Sequence, residues 1–220
     1  MKVLGISASP RPGHTTDTLV REVLGGFSGE TEFISLSGKR IGPCIACLRC
    51  VQDNICKVGD DMTELRPKIV EADALVIGAP NYFDMINGLA HCFLERFYQF
   101  RHLEGKDIAG KPGVIVGVGG GKPESAVRDI RKFFDYNQIV PIGSVSATGP
   151  ASCFTCGHGE DCTVGAIHMF FGAGTKITEE ITPALSRQPE SLVLARHLGR
   201  QLSDHLAQPE AQKGVHDGNQ

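Results

Sequence analysis

Residues 72–80 read ADALVIGAP, and the fold turns on how this run is read. After Asp73 it is continuously apolar, a pattern that suits a strand buried on both faces at the centre of a parallel sheet. Upstream, KVLGI (2–6) is a short apolar run ending in small residues. TTDTLVREVL (15–24) then carries helical spacing at Leu19, Val20, Val23 and Leu24 and stops at Gly25-Gly26. TEFISL (31–36) alternates as a second strand, and DDMTELRPKIVEA (60–72) is helical, with Pro67 predicted to kink it or mark its first turn. Downstream, NGLAHCFLERFYQF (87–100) predicts an amphipathic helix and KPGVIVGV (111–118) a second buried strand. Residues 122–136 predict a helix, IVPIGSVSA (139–147) a fifth strand, and PESLVLARHLGRQLSDHL (189–206) a last helix opening on proline. Strand and helix alternate five times, which predicts a doubly wound parallel α/β sheet; a barrel needs eight units and more length.

The 220 residues and 23.6 kDa allow one good-sized core, taken as one domain over 1–206. The polar tail 207–220 has no periodicity and is expected to be disordered or to lie on a partner subunit. A hydrophobic share of 41%, a charged share of 21% and a net charge of -3 leave no basic face for nucleic acid or anionic lipid. The N-terminus lacks the apolar core and cleavage site of a secretory signal, and no run approaches the about 18 apolar residues of a membrane span. The expected compartment is the cytoplasm, where closely spaced cysteines read as metal-binding or redox-active rather than as structural disulfides.

Ligands of open parallel sheets sit beyond the carboxyl ends of the strands, so the loops there are the candidates. SASPRPGHTT (7–16) is rich in hydroxyls and amides, carries Arg11 and feeds a helix N-terminus, an environment for a phosphate monoester. The alternative is a plain N-cap in a Pro-Gly turn. Neither the G-x-G-x-x-G nor the Walker spacing occurs, which disfavours dinucleotide and nucleoside-triphosphate loops. In GAPNYFDMING (78–88), Tyr82 and Phe83 offer aromatic surface that either stacks on a flat heterocycle or caps the core. Gly119 and Gly120, in the glycine run after the fourth strand, either admit a ligand to the backbone or form a flexible turn.

Together these loops resemble the flavodoxin-like NAD(P)H-dependent flavin mononucleotide reductases. In that family an S-P-R-x-x-G-N-T loop holds the FMN phosphate and a P-x-Y-[FW] loop cups the isoalloxazine. The matching residues are Ser9, Pro10, Arg11, Gly13, His14 and Thr15, then Pro80, Asn81, Tyr82 and Phe83. His14 stands where the family has Asn, and the loop is one residue tighter between Arg11 and Gly13. The resemblance implies strand order 2-1-3-4-5 and an FMN site at Ser9, Arg11, His14, Thr15, Thr16, Pro80–Phe83, Gly119 and Gly120.

A cysteine-rich insertion (37–60) follows the second strand. Its spacing, Cys44-x2-Cys47-x2-Cys50-x5-Cys56, is similar to the compact motif of the iron-sulfur flavoproteins, whose four thiolates hold a 4Fe-4S cluster. Two-residue spacers let three thiolates wrap one face of a cubane while the longer spacer reaches back, and Gly42-Pro43 and Gly59 keep the segment irregular. Zinc, the competitor, prefers paired knuckles separated by a longer loop. A second loop (150–175) adds Cys153, Cys156, Cys162 and His158 as a zinc site, a second cluster, a redox pair, thiols lining the flavin site or plain packing. Cys92 is expected to face the core from its helix. His91, His102, His197 and His205 are read as ordinary helical histidines, and Arg21, Glu22 and the charges near 124–132 as solvated faces.

The expected function is a flavoprotein passing electrons between a one-electron donor such as ferredoxin and a small-molecule two-electron acceptor through FMN. No catalytic acid–base pair is expected, and the resemblance implies a homodimer or homotetramer. Alternatives are an NAD(P)H-dependent FMN or quinone reductase whose cysteines bind zinc or nothing, and a zinc-stabilised binding module.

Overall fold

The computed structural model describes residues 1–208, so the expectation for the tail lies almost wholly outside the described residues. β1 (Lys2–Ser7), α1 (Thr15–Gly25), β2 (Glu30–Ser35), α2 (Met62–Glu71) and β3 (Ala74–Tyr82) form the first half of the fold. β4 (Met85–Ile86), α3 (Gly88–Glu95), β5 (Pro112–Gly119), α4 (Glu124–Tyr136), β6 (Val140–Thr148), α5 (Ala166–Phe171) and α6 (Pro189–Ala207) complete it. The sheet runs β2-β1-β3-β5-β6, all parallel, and β4 pairs antiparallel with β3. This is the expected order with a sixth, two-residue strand folded back inside the predicted aromatic loop.

Adjacent residues of each strand feed opposite layers, because side chains alternate across a pleated sheet. Leu4, Ile6, Leu75 and Ile77 pack towards Met62, Leu65, Ile69, Phe93 and Phe97. Val3, Val76, Val114 and Val116 pack towards Leu19, Val20 and Val23 of α1 and Ala195, Leu198 and Leu202 of α6. Helices α1 and α6 cross very closely: a Cβ on Gly199 would stand 2.1 Å from the Val23 carbonyl oxygen.

Several local expectations change. The predicted 87–100 helix is α-helical only to Glu95 and tightens into a 3₁₀ turn over Arg96–Arg101. His102 caps that turn in an extended conformation rather than sitting on a helix. Cys92 is half-buried, not a core residue, because α3 buries Ala90, Phe93 and Leu94. Of the two places expected for Pro67, the structure takes the interior of α2 and not its first turn. Glu22 pairs with Arg196 at 2.5 Å, and the Arg21 guanidinium lies 3.6 Å above the Phe33 ring, so neither is simply solvated. Helix α5 was not foreseen; with only Ile167 buried, it has too little apolar periodicity to be read.

Candidate functional site

At the carboxyl edge of the sheet lies a cavity of about 690 Å³, within the roughly 300–1,000 Å³ of small-molecule sites. Ser9, Arg11, His14, Thr15, Thr16, Pro80, Asn81, Tyr82, Phe83, Gly119 and Gly120, taken from three separated loops, all line it. The parallel sheet brings them together: β1, β3 and β5 are neighbours, so the loops leaving their ends are adjacent too.

The first loop is braced from within. The Ser9 hydroxyl donates to the Arg11 carbonyl at 3.0 Å and accepts the Arg11 N–H at 3.2 Å, so it shapes the turn. Arg11 Nη2 donates to the Pro150 carbonyl at 2.9 Å, tying this loop to the one after β6. His14 precedes α1 in an extended conformation, and no side chain caps the helix, so its first-turn amides lack a side-chain acceptor. Buried Asp17 takes the Gly13 N–H at 2.7 Å.

Phe83 and Asp84 join β3 to β4 with φ of 53° and 65°. Positive φ at both central residues is the tight hairpin geometry usually given to Asn-Gly, and it costs a bulky residue about 1–2 kcal/mol. The Asp84 carboxylate accepts the Ser125 hydroxyl at 2.6 Å, and Arg128 Nη2 donates to the Asp84 carbonyl at 2.8 Å. That Ser125 bond holds the Asp84 carboxyl below its ordinary range. The turn thus presents Phe83 at the rim of the cavity, 97% exposed. Asn81 donates to the Gly121 and Lys122 carbonyls at 2.9 and 2.8 Å, leaving its buried Oδ1 unbonded among the described residues. Gly120 is glycine for a packing reason, since a Cβ there would stand 2.9 Å from the Ala151 side chain.

The cysteine insertion has no helix or strand between Leu36 and Asp61, and Ala46 and Leu48 on either side of Cys47 adopt positive φ. Cys44, Cys47, Cys50 and Cys56 line one small cavity, apart from the first. Among the described residues, no group of three or more His, Cys, Asp or Glu is placed to hold a metal ion. The four cysteines nonetheless line one space, and four thiols match the one-thiolate-per-iron ligation of a 4Fe-4S cluster.

Four residues of the segment 95–102 hold this loop. Glu95 Oε2 accepts the Cys44 N–H at 3.2 Å, and Gln99 Oε1 accepts the Cys56 N–H at 3.0 Å. Arg96 Nη2 donates to Cys56 Sγ at 3.2 Å, and His102 Nε2 lies 3.4 Å from Cys50 Sγ. Arg96 is 1% exposed and also bonds the Gly42 carbonyl and, at 2.5 Å, Asp60. Burial would raise the Asp60 carboxyl, but the Arg96 bond and the Gly42 and Met62 amides outweigh it and hold it low. The Arg49 bond lowers the Cys47 thiol, while burial pushes the Cys50 thiol up. None of these partners was read from sequence; the signal was a charged Arg96 and a polar Gln99 set among Phe93, Phe97 and Phe100.

The loop after β6 was expected to offer only cysteines and a histidine, and it also contributes other residues to the cavity. Gly149, Pro150 and Ala151 line the cavity, as do Met169 and Phe170 of α5. Of the three cysteines of the second loop, only Cys153 lines the cavity. Cys162 Sγ instead lies 3.2 Å from where a Cβ of Gly165 would stand.

The chain is similar to several known proteins. The chain is 36% identical over 154 residues to an iron-sulfur flavoprotein of Methanocaldococcus jannaschii, covering 67% of this chain and 79% of that one. It is 29% identical over 173 residues to an iron-sulfur flavoprotein of Methanosarcina thermophila, covering 75% and 87%. A similar fold occurs in RosB with bound 8-demethyl-8-formylriboflavin-5′-phosphate, with a TM-score of 0.64 at 18% identity over 94% of this chain and 80% of that one. An archaeal flavodoxin matches with a TM-score of 0.50 at 11% identity over 94% and 100%. Residues 1–151 match the family described as NADPH-dependent FMN reductase, and the chain belongs to that family as a flavin-dependent oxidoreductase.

Proposed function

We propose that the chain is an electron-transfer flavoprotein holding FMN in the carboxyl-edge cavity and a 4Fe-4S cluster on Cys44, Cys47, Cys50 and Cys56. The observation that carries this reading is the pair of separate cavities, one lined by all eleven residues expected at a flavin and the other by four thiols. When bound, FMN supplies one- and two-electron redox chemistry and the cluster supplies one-electron transfer.

The protein's own residues fit both groups. The uncapped start of α1, with Thr15, Thr16 and His14, offers amides and hydroxyls to a phosphate. Tyr82 and Phe83 offer ring surface to a flat heterocycle, and the unbonded Asn81 Oδ1 offers an acceptor. Around the cysteines, Arg49, Arg96 and His102 place nitrogens 3.2–3.4 Å from three sulfurs, partners of the kind that hydrogen-bond ligating sulfur.

In this reading a one-electron donor such as ferredoxin feeds the cluster, and a small-molecule acceptor takes an electron pair at the flavin. A second reading, supported by the family's description, has NADPH reduce the flavin directly. The eight free cysteines accord with the reducing cytoplasm. Ile45, Leu48, Val51 and Ile55 of the cysteine loop are exposed apolar side chains, which supports a homodimer or homotetramer that covers them. A monomeric mass in anaerobic solution, cofactors intact, overturns the oligomer.

The test is an absorption spectrum of protein purified without oxygen, with iron, acid-labile sulfide, zinc and FMN counted per chain. One FMN and about four irons are expected. Flavin without iron overturns the cluster, and zinc without colour overturns the whole reading. Fast bleaching by NADPH alone, with slow bleaching by reduced ferredoxin, establishes the second reading.

A further inference from the structure

Cys153 and Cys156 have no part in the chemistry described so far. Cys153 is half-buried, lines the carboxyl-edge cavity and accepts the Ala166 N–H on its Sγ at 3.2 Å. It belongs to a 3₁₀ turn over Ser152–Phe154, pinned to α5 by an edge-on contact of Phe154 with Phe171 at 6.3 Å. Three residues on, Cys156 is exposed, and its Sγ lies 3.7 Å from the Cys153 carbonyl oxygen, turned back over the residue that faces the cavity. The pair has the Cys-x-x-Cys spacing of dithiol redox motifs, with the second sulfur folded back over the first residue's carbonyl. One residue of the pair therefore lines the proposed flavin cavity and the other is exposed.

We propose that Cys153 and Cys156 form a dithiol–disulfide pair that carries an electron pair from the flavin cavity to a small disulfide in solution. The inference rests on the FMN reading above. In the outer half, the Cys156 thiolate attacks one sulfur of the external disulfide and expels the other as a thiolate. Cys153 then attacks the mixed disulfide, forming the Cys153–Cys156 bond and releasing the second external thiol. In the inner half, the Cys153–Cys156 bond breaks, each sulfur gaining one electron and one proton; both electrons and both protons come from reduced FMN, which returns to its oxidised form. The net reaction turns reduced FMN and one disulfide into oxidised FMN and two thiols.

The spacing of cleavage sites makes the pair measurable. The tryptic segment 133–176 contains Cys153, Cys156 and Cys162 and no other cysteine, and Glu160 separates Cys162 from the pair. Anaerobic holoprotein with its FMN counted is treated with oxidised glutathione, freed of excess and divided. One half is illuminated with a sacrificial electron donor until the flavin bleaches. Both halves are then alkylated, cut with trypsin and a glutamate-specific protease, and weighed by mass spectrometry. Expected is a disulfide within the Cys153–Cys156 peptide before illumination, at least tenfold less of it after, and persistence in illuminated flavin-free protein. Cys156→Ser loses the bond with the FMN count unchanged, and Cys162→Ser keeps it. A bond that never forms, that joins Cys162, or that survives in holoprotein whose flavin has bleached overturns the proposal. A chain without FMN overturns the underlying reading instead, and the flavin count reveals that before any thiol is measured.

Discussion

The two cysteine-rich loops use the same residue type under opposite conditions. The loop after β2 is clasped by side chains: Glu95, Arg96, Gln99 and His102 reach three of its four cysteines. In the loop after β6 the cysteines meet backbone instead, with Cys153 Sγ on the Ala166 amide and Cys156 Sγ over the Cys153 carbonyl. Four thiols around one cavity, with cationic and imidazole nitrogens beside their sulfurs, suit a group that needs fixed ligands. Two thiols in a turn, one inside a cavity and one outside, suit bond exchange, which needs a sulfur free to move. On the two proposed readings, what packs on a cysteine, more than its spacing, separates a ligand from a reagent.

The comparison breaks most easily at the first loop. Cys56→Ser is expected to lower iron from about four per chain to near zero while leaving FMN and the Cys153–Cys156 chemistry in place; iron, flavin and thiol counts on one sample check this. If the flavin is lost as well, the two loops are not independent.

Arg96→Met comes next, because it strands the Asp60 carboxylate, whose side chain is 13% exposed, without its partner. Removing one member of such a pair costs about 3–5 kcal/mol, read as the loss of unfolding free energy in urea. The pH dependence has a definite sign. Asp60 is held below its ordinary value when folded, so its contribution is complete above the unfolded value of about 3.9 and fades as pH falls towards the folded one. Asp60→Asn flattens that acid limb.

Gly159→Ala tests the second loop alone. Its Cβ would stand 2.0 Å from the Cys153 carbonyl oxygen, so the backbone has to move. Overpacking of this kind costs about 1–3 kcal/mol. It is expected to speed alkylation of Cys153 while the iron count stays constant, which timed alkylation of the 133–176 peptide measures.

The smallest effect is that of His102→Ala. The cluster is expected to stay, but loss of a hydrogen-bond donor to Cys50 Sγ destabilises the more negative reduced state by about 1 kcal/mol. The midpoint potential then falls by about 40 mV for one electron, as a spectroscopic redox titration reads.

Much of this was legible in the chain. The buried run 72–80 and its flanking periodicities predict the sheet and its order, and the eleven cavity residues follow from loops at strand ends. The cysteine spacing 44–56 is local and needs no fold to be read. The short β4 escaped because its turn uses Phe83 and Asp84 in a geometry that glycine and asparagine normally signal. Helix α5 escaped for want of an apolar stripe.

The sequence by itself therefore determined what depends on neighbours along the chain: strand and helix periods, turns at strand ends, and the x2-x2-x5 spacing of four thiols. The tertiary structure alone decided which side chains meet. Arg96 reaches Cys56 across 40 residues, His102 reaches Cys50 across 52, and Arg11 reaches Pro150 across 139. Such contacts leave no periodic trace, because they depend on the order in which strands pair and on where a helix tightens, and both are settled only when the whole core closes.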